Sequence, residues 1–145
     1  MASEMVEFAS GDGSAQGYLA IPDTPNGKAL VVVQEWWGLV DEIKGIADRY
    51  AAAGFYALVP DLYRGETTDQ PDEAQQKLMA MNVAQAEQDL VGAVDYVAER
   101  AGASEVGSTG YCIGGALCLY AATANPKVAA SSSFYYVFPH GKPEW

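Results

Sequence analysis

The run Gly110-Tyr111-Cys112-Ile113-Gly114-Gly115 sets a thiol between a short apolar stretch and a helix-forming run, with glycine two residues before it and two after. That spacing fits a nucleophile on a tight strand-to-helix turn. The backbone there is strained, and the flanking positions approach each other too closely for side chains, which favours glycine. The turn would deliver the sulfur to the N-terminus of the following helix, whose dipole favours the thiolate. The N–H of Ile113 would then donate to an oxyanion developing on an attacked carbonyl. The competing reading is a small buried cysteine among helix-packing glycines. The glycines at both offsets favour the nucleophile. Cys118, mid-helix among Ala116, Leu117 and Leu119, reads as core.

A second group comes from "VVVQEWWGLVDEI". Glu35 directly follows a buried strand and is flanked by Trp36 and Trp37. A carboxylate there would be partly desolvated and could hold or accept the thiol proton. The alternative is a solvated strand-end acid. The N–H of Trp36 is the second oxyanion donor expected from such a loop. Trp37, Tyr111 and Tyr135 are candidate pocket residues. His140, the one histidine, either pairs with Cys112 as a dyad or lines the pocket. Asp61 reads as a turn former bonding local backbone.

These groups need a scaffold that brings strand ends together. "EMVEFAS" alternates as a strand, "GDGSAQG" reads as a turn, and "YLAIP" completes a hairpin. "KALVVVQE" and "FYALVP" are apolar on both faces, as in the centre of a parallel sheet. Helical spacing covers 40–54, 72–81 and 82–100. "EVGSTGY" is a strand, "IGGALCLYAATA" a helix, "KVAASSSFYY" a last strand, and "VFPHGKPEW" a loop. A hairpin followed by strand–helix units predicts a three-layer α/β fold with a mainly parallel, right-handed sheet. Residues 1–145 read as one domain. Ligands bind at the carboxyl ends of such strands. The loops after residues 34, 59, 111 and 136 are therefore expected on one rim.

The charge of −11, from 19 acidic and 8 basic residues, disfavours nucleic acid and anionic lipid as partners. The N-terminus lacks an apolar signal core, and no apolar stretch approaches membrane-span length. Cys112 and Cys118 fall on different helix faces, so no disulfide is expected, and two free thiols suit the cytoplasm. No metal site is legible by spacing, and no cofactor is implied.

"QEWWGL", "ADRYAAAGFYALVPDLYRG", "QDLVGAVDYV" and "STGYCIGG" together resemble the dienelactone hydrolase (carboxymethylenebutenolidase) family of α/β-hydrolase-fold enzymes, over about residues 5 to 138. The resemblance implies hydrolysis of a small-molecule ester or lactone through a Cys-His-Asp triad and a thioester intermediate. Cys112 would be the nucleophile. Glu35 would hydrogen-bond the resting thiol and take part in activating it. The N–H groups of Ile113 and Trp36 would form the oxyanion hole. The triad Asp and His of the family follow two further strands, so the chain reads as a C-terminally truncated member. The arginine that the family uses around 70–75 to hold the dienelactone carboxylate is absent from "QPDEAQ".

The resemblance leaves a second class open, a non-catalytic remnant that self-associates and binds small carbonyl compounds. A thiol redox protein is disfavoured because no resolving cysteine is near. The final strand would carry unpaired backbone and an aromatic patch of Phe134, Tyr135, Tyr136, Phe138 and Trp145. That predicts a homo-oligomer, a dimer through this region.

Overall fold

The computed structural model describes residues 1–137. His140, Phe138 and Trp145 lie outside the described residues. Six strands form one sheet in the order β1-β2-β4-β3-β5-β6. They are β1 (Ala2–Ser10), β2 (Gly13–Ile21), β3 (Ala29–Val33), β4 (Tyr56–Pro60), β5 (Val106–Tyr111) and β6 (Val128–Phe134). β1 and β2 form an antiparallel hairpin, and β2 lies antiparallel to β4. From β4 onward all neighbours are parallel. The carboxyl ends of β3, β4, β5 and β6 therefore share one rim.

The helices are α1 (Asp41–Ala52), α2 (Pro71–Ala80), α3 (Val83–Ala101) and α4 (Ile113–Ala124). Each boundary has a local cause. Asp41 and Glu42 complement the dipole in the first turn of α1. Gly54 follows that helix at φ 104°, where a side chain would be strained. Pro71 opens α2. The Asn82 side chain accepts from the Gln85 N–H at 3.0 Å to cap α3, and Gly102 closes it at φ 64°.

Strand alternation sorts the core into two layers. Val31, Val33, Leu58 and Leu19 join the cluster under α3 and α4. Val32, Val59, Ala57 and Ala20 join the one under α1. A strand buried on both faces needs apolar residues at every position, which is why β3 reads as an unbroken run. The result is the expected three-layer α/β fold.

Two element ends differ from the sequence reading. β2 begins at Gly13, not near Tyr18, because the hairpin turn is only Gly11-Asp12, with Ser10 paired to Gly13. Gly11 has φ 56°, the sign a type II′ turn needs at its first central residue. β6 stops at Phe134, two residues early, because Tyr135 turns to φ 35°.

One charged residue is fully buried on the apolar stripe of α3. Asp89 Oδ1 accepts from the Ser10 hydroxyl, from Arg64 Nη2 at 2.6 Å and from Gln85 Nε2 at 3.1 Å. It ties the helix to the hairpin and to the loop after β4.

α3 also lies so close to β1 that a Cβ on Gly92 would sit 2.0 Å from the Ala9 carbonyl oxygen. Gly92→Ala is expected to cost about 1–3 kcal/mol by overpacking, read as a lower urea midpoint with an unchanged slope.

Candidate active site

Cys112 sits between β5 and α4 at φ 60°, ψ −119°. An L-residue held there carries about 1–3 kcal/mol of backbone strain, so its surroundings must enforce it. They do so by backbone contact. A Cβ on Gly110 would lie 2.0 Å from the Gly114 carbonyl oxygen. A Cβ on Gly114 would lie 2.3 Å from the Val33 carbonyl oxygen and 2.4 Å from that of Gln34. A Cβ on Gly115 would lie 2.8 Å from the Phe134 carbonyl oxygen. The start of α4 is thus pressed against the ends of β3, β5 and β6 at once. The Cys112 N–H donates to the Phe134 carbonyl at 3.1 Å, and its own carbonyl accepts from the Gly115 N–H at 3.0 Å.

The thiol is half-buried. Its pKa is raised, not lowered as the helix dipole alone predicts. Burial is the main cause; the Ile113 N–H opposes it, and the charge of Glu35 adds to the rise. Desolvation and a neighbouring carboxylate outweigh the one N–H that favours the thiolate. Cys118 is fully buried. Its thiol donates to the Gly115 carbonyl at 3.2 Å, and burial pushes its pKa up to about 11.

Glu35 is half-buried at the end of β3. Its Oε2 accepts from the Tyr135 hydroxyl at 2.8 Å. Among the described residues it makes no hydrogen bond to the thiol, so the expected resting Glu35–Cys112 bond is replaced by one to Tyr135. The displacement has a simple cause: a phenol is a far better donor to carboxylate than a thiol. The Trp36 N–H donates to no acceptor among the described residues, and the Ile113 N–H faces the sulfur. The Trp36 and Trp37 rings meet edge to face at 5.4 Å. Trp37 and Glu35 line a cavity of about 360 Å³ that also takes in Glu42 and Asp69. Tyr111 is not part of it. Its ring stacks on Phe134 at 5.0 Å and lines a separate cavity of about 320 Å³ beside Tyr50 and Arg49 of α1. The alternation of β5 sends Tyr111 to the α1 face, away from the Trp37 cavity.

Two buried residues beside the site carried little signal in the sequence. Gln34 is fully buried, and its Oε1 accepts from the Leu62 N–H at 3.0 Å. It locks the loop after β3 to the loop after β4. A buried amide at a strand end is visible only as the polar end of "VVVQ". Tyr63 in "PDLY" is also buried beside this loop. Asp61 acts as the expected turn former, its Oδ2 accepting from the Gly65 N–H at 2.7 Å. Among the described residues no three candidate ligands converge on a metal position. None of the described helices is long and apolar enough to cross a membrane.

A mainly parallel sheet sandwiched by helices, with a strained residue at the β5–α4 turn, defines an α/β-hydrolase-type fold. The model of the dienelactone hydrolase family matches residues 15–144, and the chain belongs to that family. It is 38% identical to Protein usf of Aquifex pyrophilus, over 94% of this chain and 62% of that protein. It is 31% identical to carboxymethylenebutenolidase 1 of Cupriavidus pinatubonensis, again over 94% of this chain and 62% of that one. The chain thus spans less than two thirds of the length of these relatives. Its fold is shared with a dienelactone hydrolase-like promiscuous phosphotriesterase from metagenomic libraries, at a TM-score of 0.79 and 24% identity, over 93% of this chain and 59% of that one.

The raised thiol has a direct readout. The pH midpoint of iodoacetamide alkylation at Cys112 should lie above the ~8.5 of a free cysteine. Glu35→Gln removes the neighbouring negative charge, so that midpoint should fall and labelling at neutral pH should speed up. Peptide mass mapping across a pH series checks both.

Proposed function

We propose that this chain carries the nucleophile and oxyanion donors of a hydrolase that opens a small ester or lactone through a thioester on Cys112. The observation behind this reading is the thiol at φ 60°, ψ −119° on the first residue before α4. Such strain, enforced by three glycines, has no use in a packing cysteine. The family membership supports the same chemistry. In the reaction the thiolate attacks the acyl carbon as the carbonyl π pair moves onto oxygen. The N–H groups of Ile113 and Trp36 receive that charge. The intermediate collapses to a thioester and expels the alcohol oxygen. Glu35, freed from Tyr135 by an incoming ligand, takes the thiol proton before the attack and returns it to the expelled alcohol oxygen. Release of the acyl group needs a base to activate water. Among the described residues none is assigned that role.

The second reading, a protein that binds carbonyl compounds without reacting, makes the opposite forecast. With p-nitrophenyl acetate, the hydrolase reading expects nitrophenolate released in steady turnover, or in one burst that leaves a single acetyl group on Cys112 by intact mass, in either case lost in Cys112→Ala. Release that is unchanged in Cys112→Ala, or no release at all, contradicts it.

We further propose that β6 is covered by a second copy of the chain. Among the described residues β6 pairs only with β5, and Phe134, Tyr135, Tyr136 and Val137 are exposed. An unpaired strand edge beside apolar side chains favours association. Light scattering should give twice the chain mass, and Phe134→Lys should return a monomer; a wild-type monomer refutes the pairing.

A further inference from the structure

The loop after β4 holds a side chain with no task in the chemistry above. Tyr63 is 9% exposed. Its hydroxyl is buried and has no hydrogen-bond partner among the described residues. Leaving such a group unpaired is costly, and native proteins keep few of them.

The segment is not slack. The Leu62 N–H is held by Gln34 Oε1 at 3.0 Å, and the Gly65 N–H by Asp61 Oδ2 at 2.7 Å. Arg64 is held by Asp89 at 2.6 Å. The Glu66 N–H donates to the Tyr63 carbonyl at 3.2 Å. The ring lies against Gly38, where an added Cβ would be 3.2 Å from Tyr63 Cδ2. The phenol is therefore fixed beside the same loop that carries Glu35 and Trp36.

The charge of the sulfur reaches it. Burial pushes its pKa up to about 12, and the charge of Cys112 adds to that rise. At neutral pH the hydroxyl keeps its proton and is a donor. Among the described residues it does not bond the sulfur, so an oxygen brought in by a ligand is an acceptor it can still take.

We propose that the Tyr63 hydroxyl is a third donor to the carbonyl oxygen of an acyl group attacked by Cys112. The inference rests on the nucleophile reading above. As the S–C bond forms, the carbonyl π pair moves to oxygen, and Tyr63 O–H donates to it alongside the Ile113 and Trp36 N–H groups. The proton stays on the phenol. Collapse restores the carbonyl and expels the leaving oxygen.

Tyr63→Phe removes only the hydroxyl. Two reactions at the same thiol separate its roles. Acetylation by p-nitrophenyl acetate passes through an oxyanion; alkylation by iodoacetamide, at saturated carbon, does not. The acetylation rate should fall on the order of 100-fold, with alkylation unchanged. The Tm should hold or rise, since the hydroxyl has no partner in the resting fold. Unchanged acetylation, or equal losses in both reactions, overturns the inference. So does a clear drop in Tm, which would mark a structural bond. Wild-type protein that is alkylated at Cys112 but releases no nitrophenolate from p-nitrophenyl acetate removes the hydrolase reading and this inference together. Acetylation that is equally fast in wild type and variant removes this inference alone.

Discussion

The close meeting of backbone with backbone at the start of α4 is the constraint on which the site depends. Gly110 meets Gly114, and Gly114 in turn meets Val33 and Gln34, at separations that leave no room for a Cβ. Those contacts set the angle at which α4 leaves the sheet and hold Cys112 at a positive φ that a free chain would avoid. Each methyl added there would collide with carbonyl oxygen, not with a side chain able to turn aside. The rest of the fold supplies the counter-pressure. β3 and β6 flank β5, and apolar packing under α4 keeps the helix down.

Electrostatics at the rim run against a resting thiolate. Desolvation and the Glu35 charge both favour the protonated sulfur, and the Ile113 N–H recovers only part of the difference. A protonated resting thiol is protected from stray electrophiles and oxidation, since the thiolate is the reactive form. On the proposed nucleophile reading, activation needs a change of partner at Glu35, which accepts a hydrogen bond from Tyr135. Tyr135 is 61% exposed, so that bond is open to displacement by a ligand or by neighbouring polypeptide. Two loops share the burden of holding these groups, and Gln34 joins them through Leu62.

Local pattern was enough for most elements, because a strand buried on both faces and a helix buried on one each leave a periodicity in the chain. β3, β4, α1, α3 and α4 fall where "LVVV", "YALVP" and the spaced apolar residues put them. The ends that were misplaced depend on turn geometry. A two-residue hairpin at Gly11-Asp12 and a positive φ at Tyr135 leave no periodic trace. Asp89 was invisible for a related reason: a carboxylate on an apolar stripe reads as a surface residue until the partners from Ser10 and Arg64, both distant in sequence, are seen.

The amino-acid order by itself determined the elbow, since glycines at fixed offsets from a cysteine encode a contact between near neighbours in the chain. It determined the layer order and the common rim for the same reason, through spacing and turn residues. Tertiary structure alone decided the protonation tendency of Cys112, the partner of Glu35, the face on which Tyr111 lies and the isolation of the Tyr63 hydroxyl. Each of these depends on burial and on groups brought together from separate strands, and neither quantity is a property of a local stretch of sequence.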